Sequence, residues 1–106
     1  MPANPCQPIE TAMSLLGRRW AGAVIQTMLD GAERFSDIRR GVPGVTDAVL
    51  TTRLKELCER GFAERHVTDG TPVCVSYTLT SAGKDLAPVL AVISEYGTKH
   101  HELLTR

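Results

Sequence analysis

The sequence predicts an α+β chain, mainly helical with one small β-hairpin. Three observations carry that expectation. Apolar residues recur at helical spacing in successive segments, Gly and Pro residues punctuate the middle of the chain, and the stretch around Val75 switches to strict alternation. A length of 106 residues suits one domain, read here as a single unit over 1–106.

Taking the elements in order, Ile9, Met13 and Leu16 keep i, i+4, i+7 spacing after Pro8, a residue suited to a first helical turn, and Gly17 closes that segment. Trp20, Val24, Ile25, Met28 and Leu29 repeat the pattern up to a stop at Asp30 and Gly31, which predicts a second helix from about Trp20 to Leu29. Phe35 then reads as an apolar anchor before an N-cap at Ser36, opening a brief third helix that carries Asp37, Ile38, Arg39 and Arg40. Gly41, Pro43 and Gly44 break it. Thr46 caps the next helix, Asp47 sits where the dipole favours an acid, and Leu50, Leu54 and Leu57 face one side. Two helices joined by a tight Gly/Pro turn make a helix-turn-helix, placed at about 34–60.

Ala63 to Thr68 is a β-compatible run, Asp69-Gly70 a hairpin turn, and Val73, Val75, Tyr77 and Leu79 alternate with Cys74, Ser76 and Thr78. This predicts a two-stranded wing at about 62–79. Thr80 or Ser81 caps a final helix at about 81–104, roughly 36 Å long and bent at Pro88. Leu86, Leu90, Ile93, Gly97 and Leu104 line one side of it, and Val89, Tyr96 and Leu103 widen the stripe. That apolar width exceeds what one small domain covers by itself, and a dimer accounts for the surplus.

Composition narrows the function classes. Hydrophobic content of 42% with 23% charged residues is ordinary for a globular protein, and no apolar run approaches the ~18 residues of a membrane span. The start, MPANPCQP, lacks the basic and apolar regions of a secretory signal, so the expected location is cytoplasmic, with Cys6, Cys58 and Cys74 as thiols. Three cysteines without a C-x-x-C pair give no metal site, and no cofactor motif is present. Adjacent His100 and His101 point in different directions on a helix, which fits a solvated or dimer-facing pair better than a shared metal. Catalysis has no foothold: there is no Ser/His/acid arrangement and no Gly-rich phosphate loop. Formal net charge is zero, yet seven basic and five acidic residues fall between Arg34 and Arg65, so the middle of the chain is basic.

The pieces "CQPIE", "LLGRRW", "LDGAERFSDIRRGVPGVT", "VLTTRLKELCERGF" and "VSYTLTSAG" occur in one order along nearly the whole chain. In that order they resemble the HxlR-type winged helix-turn-helix transcriptional regulators of bacteria. The resemblance implies a homodimer, built by the N- and C-terminal helices, that lays one helix of each subunit in the major groove of an operator and a wing beside it.

Carried over to this chain, the resemblance makes Thr46 to about Glu59 the recognition helix, with Thr46, Ala48, Thr51, Thr52 and Lys55 toward the groove. Arg34, Ser36, Arg39 and Arg40 become backbone-positioning candidates, and Asp69, Gly70 and Thr71 the wing tip. Arg53 matches a family Arg but flanks the core side, so it either clamps a phosphate or pairs with an acid of its own subunit. The expected dimer interface comprises Ile9, Met13, Leu86, Val89, Leu90, Ile93, Tyr96, Gly97 and His100. Ala48 and Cys74 stand where the family often carries cations, and Gln7 separates Cys6 from the Pro that normally follows it. Those departures keep open an alternative in which the same face serves a protein partner instead of DNA. Cys6, before the first helix and near Arg18 or Arg19, is the candidate redox or electrophile sensor, and a small-molecule effector is the other route to a signal.

Overall fold

Leu50, Leu54 and Leu57 are among the most deeply buried side chains of the molecule, and the fold is organised around them. The computed structural model describes residues 6–106; residues 1–5 of the 1–106 unit lie outside the described residues. Helices α1 (Gln7–Leu16), α2 (Ala21–Leu29), α3 (Phe35–Arg40) and α4 (Asp47–Glu59) come first, followed by strands β1 (Ala63–Val67) and β2 (Val75–Leu79). Helices α5 (Ser81–Lys84), α6 (Leu86–Lys99) and α7 (His101–Leu104) complete the chain. Val24 and Ile25 of α2, Ile38 of α3 and the three leucines of α4 form one apolar cluster. Burying each such side chain contributes about 1.5–3 kcal/mol.

Two local devices hold α3 and α4 at their angle. Gly44 adopts φ +93, a left-handed backbone that glycine takes without strain, and a Cβ there would come 3.3 Å from the Trp20 ring. Thr46 then caps α4, its hydroxyl accepting from the Val49 N–H at 3.2 Å. Trp20 does not open α2 as a helical residue. It is the N-cap, with φ +74, and its indole packs on the core from the α1–α2 turn. Ser36 is likewise not a cap: Arg34 holds the N-cap position of α3 and Ser36 is exposed inside the helix.

The wing departs from the expected tight hairpin. β1 and β2 pair antiparallel from Ala63↔Leu79 to Val67↔Val75, but a seven-residue loop, Thr68 to Cys74, joins them. Gly70 is not among the positive-φ residues that a tight Asp-Gly turn needs, and the Thr71–Pro72 peptide is cis. Ladder pairing stops at Val75, and Val73 is left exposed in the loop. Thr68 closes the loop base instead. Its amide donates to the Cys74 carbonyl at 2.9 Å, and its hydroxyl accepts from the Cys74 N–H at 3.1 Å. The outer edge of β2 is also occupied. The Tyr77 N–H donates to the Glu33 carbonyl at 2.7 Å, and Arg34 bridges Ser76.

The final helix is not continuous. Thr80 caps α5, accepting from the Gly83 N–H at 3.3 Å, and the helix ends at Lys84. Pro88 explains the break, since it cannot donate to the Lys84 carbonyl and its ring excludes that oxygen. A second interruption falls at His100, whose ring leans on Tyr96 with centroids 4.7 Å apart. The apolar stripe therefore splits. Leu90, only 7% exposed, packs inward beside Gly22 of α2, and Leu86 is half-buried against the same core. Leu90 leaves the expected dimer face because α6 uses it to close the chain's own core. Gly97 and His100 are half-buried. Val89, Ile93 and Tyr96 remain outward, together with Val92, which the sequence reading did not single out.

Candidate nucleic-acid interface

With Leu50, Leu54 and Leu57 turned inward, α4 presents Ala48, Thr51, Thr52 and Lys55 to solvent. Thr51 donates its hydroxyl proton to the Asp47 carbonyl at 2.7 Å, and Thr52 donates to the Ala48 carbonyl at 3.0 Å. In this state the two oxygens face outward as acceptors. Their complements are the amino groups of adenine and cytosine in a major groove rather than phosphate oxygens. Lys55 forms no ion pair among the described residues, so its ammonium is available on the same face.

The arginines divide into two groups. Arg53 is not on the outer face: its side chain is 12% exposed, its Nε donates to the Arg19 carbonyl at 2.8 Å, and its Nη1 reaches Glu56 Oε1 at 3.2 Å. Of the two roles expected for Arg53, the structure shows the internal pair. Glu56 also accepts from Arg18 at 3.2 Å, which ties the α1–α2 turn to α4. Sequence reading missed this junction; only the i, i+3 spacing of Arg53 and Glu56 hinted at it. Around the turn, Arg39 Nε meets Asp47 Oδ1 at 2.7 Å and Arg40 pairs with Asp37 at 3.4 Å. Both guanidiniums stay largely exposed and keep donors for a phosphate, though each shares its charge with an acid. Arg34 lies exposed between α3 and the wing, and Asp69, Gly70 and Thr71 are exposed in the wing loop. Asp69 brings an acid to that tip.

The thiols differ in surroundings. Cys6 is exposed as the N-cap of α1, its carbonyl accepting from the Glu10 N–H at 3.0 Å. Arg18 is engaged by Glu56, and the Arg19 guanidinium lies 5.1 Å over the Trp20 ring. Burial pushes the Cys58 thiol up from its ordinary value, with Arg65 pulling weakly the other way. Cys58 packs on the core as a small apolar side chain. Cys74 is half-buried at the wing base.

A capped helix set after a Gly/Pro turn, with a hairpin wing beside it, defines a winged helix-turn-helix. The HxlR-like helix-turn-helix family matches residues 15–104, and the chain belongs to that family. It is 40% identical over 94 residues to the HTH-type regulator YvaP of Bacillus subtilis, covering 89% of this chain and 87% of that one. It is 44% identical over 84 residues to the HTH-type transcriptional regulator YodB of the same organism, covering 79% and 75%. The redox regulator HypR in its reduced form superposes with a TM-score of 0.84 at 33% identity, over 93% of this chain and 98% of that one. YodB itself has been solved reduced, diamide-treated and quinone-bound. The chain is thus a DNA-binding transcriptional regulator of the helix-turn-helix class, and its relatives are regulators rather than enzymes. No helix among the described residues is long and apolar enough to cross a membrane.

Proposed function

We propose that the chain acts in the cytoplasm as a sequence-specific homodimer, with α4 of each subunit in the major groove of an operator and the 69–71 loop along the neighbouring minor groove. The observation that carries this reading is the outward face of α4: two hydroxyl acceptors and a lysine ammonium, opposite the buried Leu50, Leu54 and Leu57. Arg34, Arg39 and Arg40 position the protein on the phosphates. An anisotropy titration against duplex DNA from the chain's own upstream region, at 50 and 200 mM salt, tests it. Saturable binding that weakens steeply with salt supports the reading. Absence of binding at both salts supports the adaptor alternative, which the Arg39–Asp47 and Arg40–Asp37 pairs favour because they offset cations on this face.

The signal is read at Cys6. Its exposed position at the start of α1 lets the thiol add to a quinone ring; the new C–S bond leaves a hydroquinone thioether, with the thiol proton taken up by the product. A group attached there displaces α1 and, through the dimer, changes the separation of the two recognition helices. YodB, solved diamide-treated and quinone-bound, supports the comparison. Wild type should lose operator affinity after quinone treatment while Cys6→Ser keeps it. Equal responses in the two proteins would make Cys6 an ordinary thiol.

A further inference from the structure

A groove of about 920 Å³ runs between α1, the end of α4 and the start of α6. Its floor is apolar, formed by Leu15, Leu16, Phe62 and Leu86, and its rim carries one cation, Arg60. Arg60 is held across the groove: its Nη1 donates to the Ser14 hydroxyl at 3.2 Å, and that hydroxyl donates to the Thr11 carbonyl at 2.6 Å. Among the described residues no acid lies within ion-pair distance of Arg60. An apolar trough with one positioned, acid-free guanidinium complements a molecule that has an apolar body and one negative end. The volume lies within the range of small-molecule sites, ~300–1,000 Å³.

We propose that this groove binds an amphipathic organic carboxylate, with the hydrocarbon on Leu15, Leu16, Phe62 and Leu86 and the carboxylate on Arg60. Arg60 is also the C-cap residue of α4. A carboxylate bridging Arg60 and α1 therefore couples the end of the recognition helix to the N-terminal helix, a route to regulation distinct from Cys6. The regulatory use rests on the proposed function above; the site itself does not.

Calorimetric titration of the full chain with 2-naphthoate and with its uncharged counterpart 2-naphthylmethanol tests the site without DNA, so a failure to bind operator leaves this result untouched. One naphthoate per chain is expected, bound about tenfold tighter than the alcohol, as one charge-assisted pair provides. Arg60→Gln should erase that preference and leave alcohol binding intact, and Ala12→Met, which fills the groove from its α1 wall, should weaken both ligands. Equal affinity for the two compounds, or a preference that survives Arg60→Gln, overturns the proposal. So does a chain driven to monomer by saturating naphthoate in sedimentation, which would assign the groove to a second copy.

Discussion

Arg53 and Lys55 sit two positions apart on α4 and do opposite work. Arg53 turns back to the Arg19 carbonyl and Glu56, while Lys55 faces solvent. Arg53→Ala should lower stability by about 1 kcal/mol, read from the urea midpoint, because it removes the bond to the Arg19 carbonyl and one of the two arginines on the half-buried Glu56 carboxylate. Lys55→Ala should leave the midpoint within about 0.5 kcal/mol but, under the proposed DNA-facing role of α4, weaken operator binding and reduce its salt slope by about one, since one cation is lost from that face. Swapped outcomes would mean that the roles are reversed. The division was legible only in part. Helical spacing shows that Arg53 flanks the core, but its partner is a carbonyl 34 residues away in the chain, and no local pattern points there. Cys58 gives a third test. Its thiol is raised by burial, so the folded chain holds that proton more tightly than the unfolded one. Stability from this group is fully present below the ordinary thiol range and declines as pH rises through and above it. Cys58→Ala should flatten the fall in stability as pH rises through and above the ordinary thiol range in denaturant titrations, and an unchanged fall would remove Cys58 as its source.

At the scale of elements, what could be read in the sequence was what is encoded locally. The cap at Thr46, the inner leucines of α4 and the stop at Gly31 each depend on neighbours within a turn or two, and the structure matches them. Thr46→Ala should cost about 1 kcal/mol of unfolding free energy, and Thr46→Ser should restore most of it by returning the hydroxyl to the Val49 amide. If both variants match wild type, the cap contributes nothing measurable. The elements misread were those in which a second signal overrode the first. Asp69-Gly70 suggests a tight turn, but Gly70 does not take the positive φ that such a turn needs, and Thr68 bonded to Cys74 closes a longer loop. Phe35 and Ser36 suggest an N-cap, but the bridge from Arg34 to β2 holds Arg34 extended and starts α3 two residues sooner. The long C-terminal stripe suggests one helix, but Pro88 ends α5 at Lys84.

At the scale of the whole molecule, the stripe on α6 is divided between the chain's own core and its outer surface, and the sequence could not make that division. Leu90 turns inward because Gly22 of α2 leaves room for it, which is visible only once α2 and α6 are packed. What remains outside is a coherent apolar face. Ile93 is 49% and Tyr96 60% exposed, Val89 and Val92 flank them on α6, and Ile9 and Met13 are exposed on α1. So many large apolar side chains on two helices exceed the scattered exposure usual for a monomer. Under the proposed homodimer they bury one another, and the pairing sets the spacing of the two α4 helices to match half-sites about one DNA turn, ~34 Å, apart. Ile93→Asp places an uncompensated carboxylate in that interface from each subunit, which should weaken self-association at least about hundredfold. Ile93 is half exposed in the subunit, so the fold itself should survive and the circular dichroism spectrum should stay that of the wild type. The variant is then expected to sediment as a folded monomer at micromolar concentration and to bind a two-half-site operator far more weakly than wild type, with single-half-site binding little changed. A variant that stays dimeric would place the interface elsewhere; one that becomes monomeric yet binds the full operator as tightly as wild type would show that α4 reads DNA without a partner.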